Sequence, residues 1–283
     1  MTHTTVVSAA ALQPHLTAGD WVVFDCRFDL GDPQAGYRDY RAGHLPGAHY
    51  AHLDERLSSP TGPGTGRHPL PDPAALAAWL GECGVQRGSQ VVVYDALNGA
   101  VAARLWWLLR WLGHEAVAVL DGGFKAWVDA GNALEQEVPP PRGAGDYPAA
   151  VQHTMAIEVD ELQEAMQAER VRLLDARAPA RFRGETEPLD RVAGHVPGAV
   201  NLSFSENLAP GGRYLKAAAL RERLARAMGP FSPADTVCMC GSGVTACHTL
   251  LAMEIAGLSG ARLYAGSWSE WIADPQRPVA TGD

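Results

Sequence analysis

The sequence predicts an α/β protein in which one strand–helix unit is built twice. Short continuous apolar runs alternate with stretches of helical period along the chain. Four segments recur in the same order about half a chain apart. The 283 residues, with 47% apolar side chains, suffice for two cores at roughly 150 residues each.

Strands are expected at 21–25, 90–94 and 116–120 in the first half, and at 171–175, 236–240 and 261–264 in the second. Continuous apolar runs suit strands buried on both faces, as in a parallel sheet covered by helices. Val159, Leu162 and Met166 recur at helical spacing, as do Leu220, Leu224 and Met228, and Gly229-Pro230 stops the second of these helices. The alternation implies a doubly wound domain, present twice, whose ligands bind beyond the carboxyl ends of the strands.

The repeat is explicit. VVFDCR (22–27) answers RLLDAR (172–177), and AGHLPGA (42–48) answers AGHVPGA (193–199). The stretch 91–113 answers 237–257, and DGGFKAW (121–127) answers AGSWSEW (265–271). Between the copies, EVPPPRGAGDYPAA (137–150) combines three consecutive prolines with glycines and no periodicity, the composition of an exposed connector. The expected division is 1–137, a linker over 138–152, and 153–283.

Charge narrows the function. With 23 Lys+Arg against 32 Asp+Glu, the formal charge is −9, unlike the clustered positive charge that nucleic acids or anionic membranes require. No apolar run approaches the ~20 residues of a membrane span. The opening MTHTTVVSAA has no basic segment followed by an apolar stretch, so no secretory signal is expected. Five cysteines are then expected to be reduced thiols in a cytoplasmic protein.

The chemistry concentrates at Cys240. TVCMC (236–240) runs into Gly-Ser-Gly-Val-Thr and then a helical stretch. Backbone amides and a helix N-terminus converging there would stabilise a thiolate or a persulfide built on it. Gly241 and Gly243 let the loop curl, so that the amides of residues 241–245, including Val244 and Thr245, form an anion nest. A Cys-x5-Arg phosphatase loop would need arginine where Ala246 stands. Cys238, Cys240, Cys247 and His248 match no common zinc spacing. Cys247 lies about 10 Å of helix rise beyond Cys240, which disfavours a disulfide. Asp95 occupies the place of Cys240 in the first copy and cannot act as a thiol nucleophile. Cys26 and Cys83 have no partner motif.

Together CGSGVTACHTLLA, the AGH-x-PGA pair, RFRGETEP (181–188) and GSWSEW resemble the tandem-domain sulfurtransferases of the rhodanese superfamily, over about residues 20–272. The resemblance implies two rhodanese-like doubly wound domains, each a central parallel sheet flanked by helices, the first lacking the catalytic cysteine. The loop is most similar to that of the 3-mercaptopyruvate sulfurtransferases, whereas thiosulfate-preferring relatives carry basic residues after the cysteine.

The implied reaction moves a sulfur from 3-mercaptopyruvate through a Cys240 persulfide to a thiol, such as that of thioredoxin, or to cyanide. No metal or organic cofactor is implied. The alternatives are a thiosulfate sulfurtransferase releasing sulfite and, more remotely, a non-catalytic binding module. By resemblance Arg181 holds the donor carboxylate. Arg191, displaced slightly from the family's Glu-Pro-Arg pattern, or Arg183 would be the second ligand. Asp54, His68 and Ser242 match an Asp…His…Ser arrangement in which His68 activates the Ser242 hydroxyl and Asp54 fixes the imidazole. His44 and His195, present in both copies, are expected to be structural. Trp106 and Trp107 are expected to pack a core, while Trp268 and Trp271 could also wall a site.

Overall fold

In the computed structural model the described residues are 2–16, 18–141 and 147–283. They form two units, each with its own parallel sheet.

The first unit comprises Met1–Ser59, Leu70–Gln152 and Pro210–Arg213. Its strands are β1 (Val6–Val7), β2 (Trp21–Asp25), β3 (His49–Tyr50), β4 (Gln90–Tyr94) and β5 (Val117–Leu120). They lie in the order β1-β5-β4-β2-β3. Every residue of β2, β4 and β5 is buried, which is why these strands read as unbroken apolar runs. The helices are α1 (Ala9–Leu12), α2 (Ala35–Ala42), α3 (Leu53–Arg56), α4 (Pro73–Glu82), α5 (Ala102–Trp111) and α6 (Gly123–Asp129). Trp106 and Trp107 of α5 are buried, in keeping with a packing role.

The second unit comprises Pro60–Pro69, His153–Ala209 and Tyr214–Asp283. Here β6 (Arg172–Asp175), β7 (Val200–Asn201), β8 (Thr236–Met239) and β9 (Arg262–Leu263) run in the order β7-β6-β8-β9. The helices are α7 (Val159–Gln167), α8 (Pro179–Phe182), α9 (Ala217–Met228), α10 (Thr245–Ile255) and α11 (Ser267–Trp271). A parallel bridge from Ala156 to Leu263 stands where β1 pairs with β5 in the first unit. The second sheet therefore repeats the order of the first.

The duplication extends to side chains. Arg27 grips both oxygens of Asp25 and donates to the Gly43 carbonyl at 2.7 Å. Arg177 does the same to Asp175 and donates to the Gly194 carbonyl at 2.8 Å. The ring of His44 stacks on Tyr40, with Nδ1 2.8 Å from the Tyr40 carbonyl oxygen. His195 stacks on Phe182 with the same 2.8 Å spacing to its carbonyl oxygen. Both histidines are buried braces of the turn after the first helix of their unit's motif.

Three strands escaped the sequence: β1, β3 and β7. Each is two residues long at a sheet edge, too short for any periodicity. The domain boundary is also less simple than a cut at a linker. Residues 60–69 belong with the second unit and 210–213 with the first. Pro148–Gln152 lies on the first unit, where the amides of Ala150 and Gln152 donate to the carbonyls of Leu112 and Trp111. Residues 142–146 of the expected linker lie outside the described residues. Among the described residues, no helix is long and apolar enough to cross a membrane.

Candidate active site

β8 ends at Met239 and α10 begins at Thr245, so Cys240–Val244 form the turn at the carboxyl edge of the second sheet. Cys240 is buried, at 2% exposure. Its amide donates to Ser267 Oγ at 3.1 Å, and the Ser267 hydroxyl donates to the Tyr264 carbonyl at 2.9 Å. The amides of Trp268 and Ser269 donate to the carbonyls of Cys240 and Gly241 at 3.0 and 2.9 Å. The start of α11 thus clamps the backbone on which the thiol stands. Ser267 holds φ +54°, a left-handed conformation costly for a side-chain-bearing residue, where the first unit has Gly123 at +59°.

The turn itself is tight. Gly243 has φ +75°, and a Cβ there would stand 2.4 Å from the Ala265 carbonyl oxygen, which is backbone and cannot yield cheaply. Gly243→Ala is expected to reopen the turn, at about 1–3 kcal/mol of backbone strain plus the clash. A lowered thermal melting midpoint checks this; an unchanged midpoint would contradict it.

The first unit displays what such a turn holds. Asp95, at the place of Cys240, accepts four backbone N–H bonds of 2.7–2.9 Å, from Leu97, Gly99, Val101 and Ala102. A turn at this edge of the fold is an anion cradle, filled in that unit by the chain's own carboxylate.

The segment Pro60–Pro69 supplies the other wall of the site. Gly66 lets it approach closely, since a Cβ there would meet the Gly266 carbonyl oxygen at 2.5 Å. The Arg67 amide donates to Ser269 Oγ at 3.0 Å. His68 Nδ1 then lies 2.7 Å from Ser242 Oγ, with both residues buried. The expected His68–Ser242 pair is therefore in contact. Asp54 belongs to the first unit, in the first turn of α3, where its amide donates to His52 Nδ1 at 3.2 Å.

Arg181, from α8, donates to Glu187 at 2.7 and 3.2 Å and to Asp190 at 3.1 Å. Arg67 grips the other oxygen of Asp190. Both guanidinium groups crowd Gly241: the point where a Cβ would stand lies 2.9 Å from Arg67 Nη2 and 3.6 Å from each terminal nitrogen of Arg181. Burial raises the Glu187 carboxyl, but Arg181 and the amides of Leu189 and Asp190 outweigh it and hold the group below its usual range. Burial dominates at Asp190, whose carboxyl sits above its usual range despite Arg67.

The other expected arginines lie elsewhere. Arg191 donates to the carbonyls of Ile272 and Ala273, and Arg183 pairs with Glu185 at the surface. Leu189 stands directly after Glu187-Pro188.

None of the five cysteines forms a disulfide. Burial pushes the Cys238 thiol well above its ordinary value, with Cys247 and Cys240 adding to it, and its sulfur lies 3.9 Å from Met253 Sδ. Cys247 donates to the Gly243 carbonyl at 3.3 Å. Among the described residues, no group of three or more His, Cys, Asp or Glu is arranged to hold a metal. Trp268 and Trp271 are buried, with their indole N–H groups on the carbonyls of Val192 and Pro278.

A family model described as a rhodanese-like domain matches residues 8–130 and again 158–274. The chain belongs to the rhodanese family of sulfurtransferases. This rhodanese is 49% identical, over the whole of both chains, to the "Probable 3-mercaptopyruvate sulfurtransferase" of Pseudomonas aeruginosa. It is 42% identical to the "Putative thiosulfate sulfurtransferase SseB" of Mycobacterium tuberculosis, covering 98% of this chain and 97% of that one. The crystal structure of SseA from Escherichia coli, described as a 3-mercaptopyruvate sulfotransferase, superimposes with a TM-score of 0.81 at 31% identity. That match covers 94% of this chain and all of the other.

Sequence reasoning passed over four residues that the structure places around the Cys240 turn and the Arg181 side chain: Arg67, Glu187, Asp190 and Ser267. The charged three lie in irregular segments that carry no period. Ser267 did leave a signal, because the repeat aligns it with a glycine (Gly123) in DGGFKAW.

Proposed function

We propose that this rhodanese is a 3-mercaptopyruvate sulfurtransferase acting through a Cys240 persulfide. The Cys240 thiolate attacks the donor sulfur, forming an S–S bond. The donor's C–S bond breaks and its electron pair passes into the pyruvate enolate, which takes up a proton and leaves as pyruvate. A thiolate acceptor, such as that of thioredoxin, or cyanide, then attacks the outer sulfur and restores Cys240. The amides of Gly241, Ser242, Gly243, Val244 and Thr245 line the turn around the persulfide anion. Arg181 holds the carboxylate through Nη1, since Glu187 and Asp190 take its Nε and Nη2.

The observation that carries the choice of donor is the 2.7 Å contact between His68 Nδ1 and Ser242 Oγ. With its proton on Nδ1, the imidazole donates to Oγ and leaves the hydroxyl proton for an oxygen of the substrate. The carbonyl oxygen of mercaptopyruvate gains charge as the C–S bond breaks, and a placed donor stabilises it. Thiosulfate has no carbonyl, and the electron pair of its breaking bond goes to the sulfur of sulfite, whose oxygens already carry charge. Asp54, named by the family resemblance, belongs to the first unit and takes no step in this scheme, because a carboxylate facing the imidazole would hold the proton on Nε2 instead. Arg191 is the lesser candidate for a carboxylate ligand, since its guanidinium serves two carbonyls. A reducing, cytoplasmic setting suits a nucleophile that must be a free thiol.

The second reading, thiosulfate as donor, is favoured by one feature, the two guanidinium groups at Gly241. Turnover with each donor separates the readings. We expect kcat/KM measured by pyruvate release to exceed that measured by sulfite release. The reverse order would overturn the donor assignment.

A further inference from the structure

We infer that Arg67 and Arg181 together bind the anionic group of the sulfur donor, and that Asp190, held between them, sets the charge of the donor accepted. The inference rests on the sulfurtransferase reading above and deepens it by naming what discriminates between donors.

The geometry is specific. Arg67 comes from the Gly-rich segment before His68, and its backbone is pinned by Ser269, a residue of the helix that also clamps Cys240. Its guanidinium reaches the same point over Gly241 as that of Arg181, which arrives from α8. Two guanidinium groups converging on the residue next to the nucleophile form a paired anion site, with more hydrogen-bond donors than one carboxylate needs. Asp190 accepts from both, and its side chain is only 5% exposed. It takes one terminal nitrogen of each guanidinium, and with Glu187 on Nε and Nη2 of Arg181, the donor is left Nη1 of Arg181 and Nη2 of Arg67.

Charge balance then decides which donor fits. The cations here are Arg67, Arg177 and Arg181, and the anions facing them are Asp175, Glu187 and Asp190. With all six ionised the cluster is neutral. A donor with a single carboxylate adds one negative charge beside a cysteine thiolate, whereas dianionic thiosulfate adds two. Like charges brought together in a partly desolvated pocket repel strongly. Asp190 therefore disfavours the dianion without any contact made to it. Removing its charge leaves the cluster with one net positive charge and relaxes that discrimination. A purely bracing Asp190 would instead lose activity with both donors alike, because an amide keeps one accepting oxygen and turns an NH2 toward the other guanidinium.

The test uses Asp190→Asn and Arg67→Met, with Arg67→Lys as a second variant retaining charge, in the full-length protein with folding checked by thermal melting. Donor kcat/KM is measured by pyruvate and by sulfite release. Inhibition constants for two inert anions, pyruvate and sulfate, are measured during turnover of whichever donor is active. Asp190→Asn is expected to raise the thiosulfate to mercaptopyruvate ratio of kcat/KM by about tenfold, and to tighten sulfate inhibition more than pyruvate inhibition. Arg67→Met is expected to raise KM for both donors by about tenfold, with Arg67→Lys intermediate and the acceptor KM unmoved. A proportional fall in activity with both donors in Asp190→Asn, or unchanged inhibition constants, would reduce Asp190 to a brace and overturn the proposal. So would an unchanged donor KM in Arg67→Met. The inhibition constants stand whichever donor proves physiological. Failure of the donor assignment would appear instead as absent pyruvate release by the unmodified protein.

Discussion

Cys240→Ser is expected to lose sulfur transfer by at least about four orders of magnitude while keeping the native fold. A serine hydroxyl fits the same buried space and disturbs neither the amide bond to Ser267 nor the carbonyl bond from Trp268. It cannot carry a sulfane sulfur. No neighbouring thiol can stand in. Cys238 is sealed within β8 against Met253, with burial suppressing its ionisation, and the Cys247 thiol is held on the Gly243 carbonyl. Steady-state turnover beside a thermal melt checks both halves of the expectation. Turnover at the unmodified rate would remove Cys240 from the mechanism.

Arg177→Met is expected to destabilise the second unit by about 3–5 kcal/mol, the cost of stranding a buried charge. Arg177 holds both oxygens of Asp175, which is fully buried, and its guanidinium lies 4.7 Å from the centre of the Trp268 ring. Methionine fills similar volume but leaves that carboxylate without its cation. The repeat supplies the control. Arg27→Met strands Asp25 in the same way, yet Tyr94 Oη also donates to Asp25 at 2.7 Å. In the second unit Met239 stands at the position of Tyr94, opposite Asp175 in the sheet register. The loss should therefore be larger for Arg177→Met than for Arg27→Met. Denaturant unfolding of each full-length variant reads the difference, and equal losses would contradict it. Arg177 also lies 3.6 Å from Glu187, so its loss should weaken donor binding at the arginine pair as well.

Much of this was legible in the chain because duplication leaves two readings of every element. The central strands announced themselves through burial on both faces, and Asp95 opposite Cys240 marked one copy as chemically different. The Cys240 turn was readable because glycine, strand end and helix start are local features. Arg67 was not. It lies far from Cys240 in sequence, within a Pro/Gly-rich stretch whose conformation depends on what it packs against. Arg191 drew attention because it follows a Glu-Pro pair closely in sequence, but the turn after α8 carries it to the end of α11. Charge pairing across irregular backbone, as at Asp190, leaves no period to detect. The same limit hid the membership of residues 60–69 in the second unit.

A single-turnover experiment bears most directly on the persulfide mechanism. The protein is mixed with one equivalent of 3-mercaptopyruvate, without acceptor, and both the intact mass and the Cys240 peptide are read. We predict one added sulfur, located on Cys240, and one pyruvate released per sulfur bound, with both lost in Cys240→Ser. Sulfur on another cysteine, or pyruvate release without a persulfide, would contradict the mechanism.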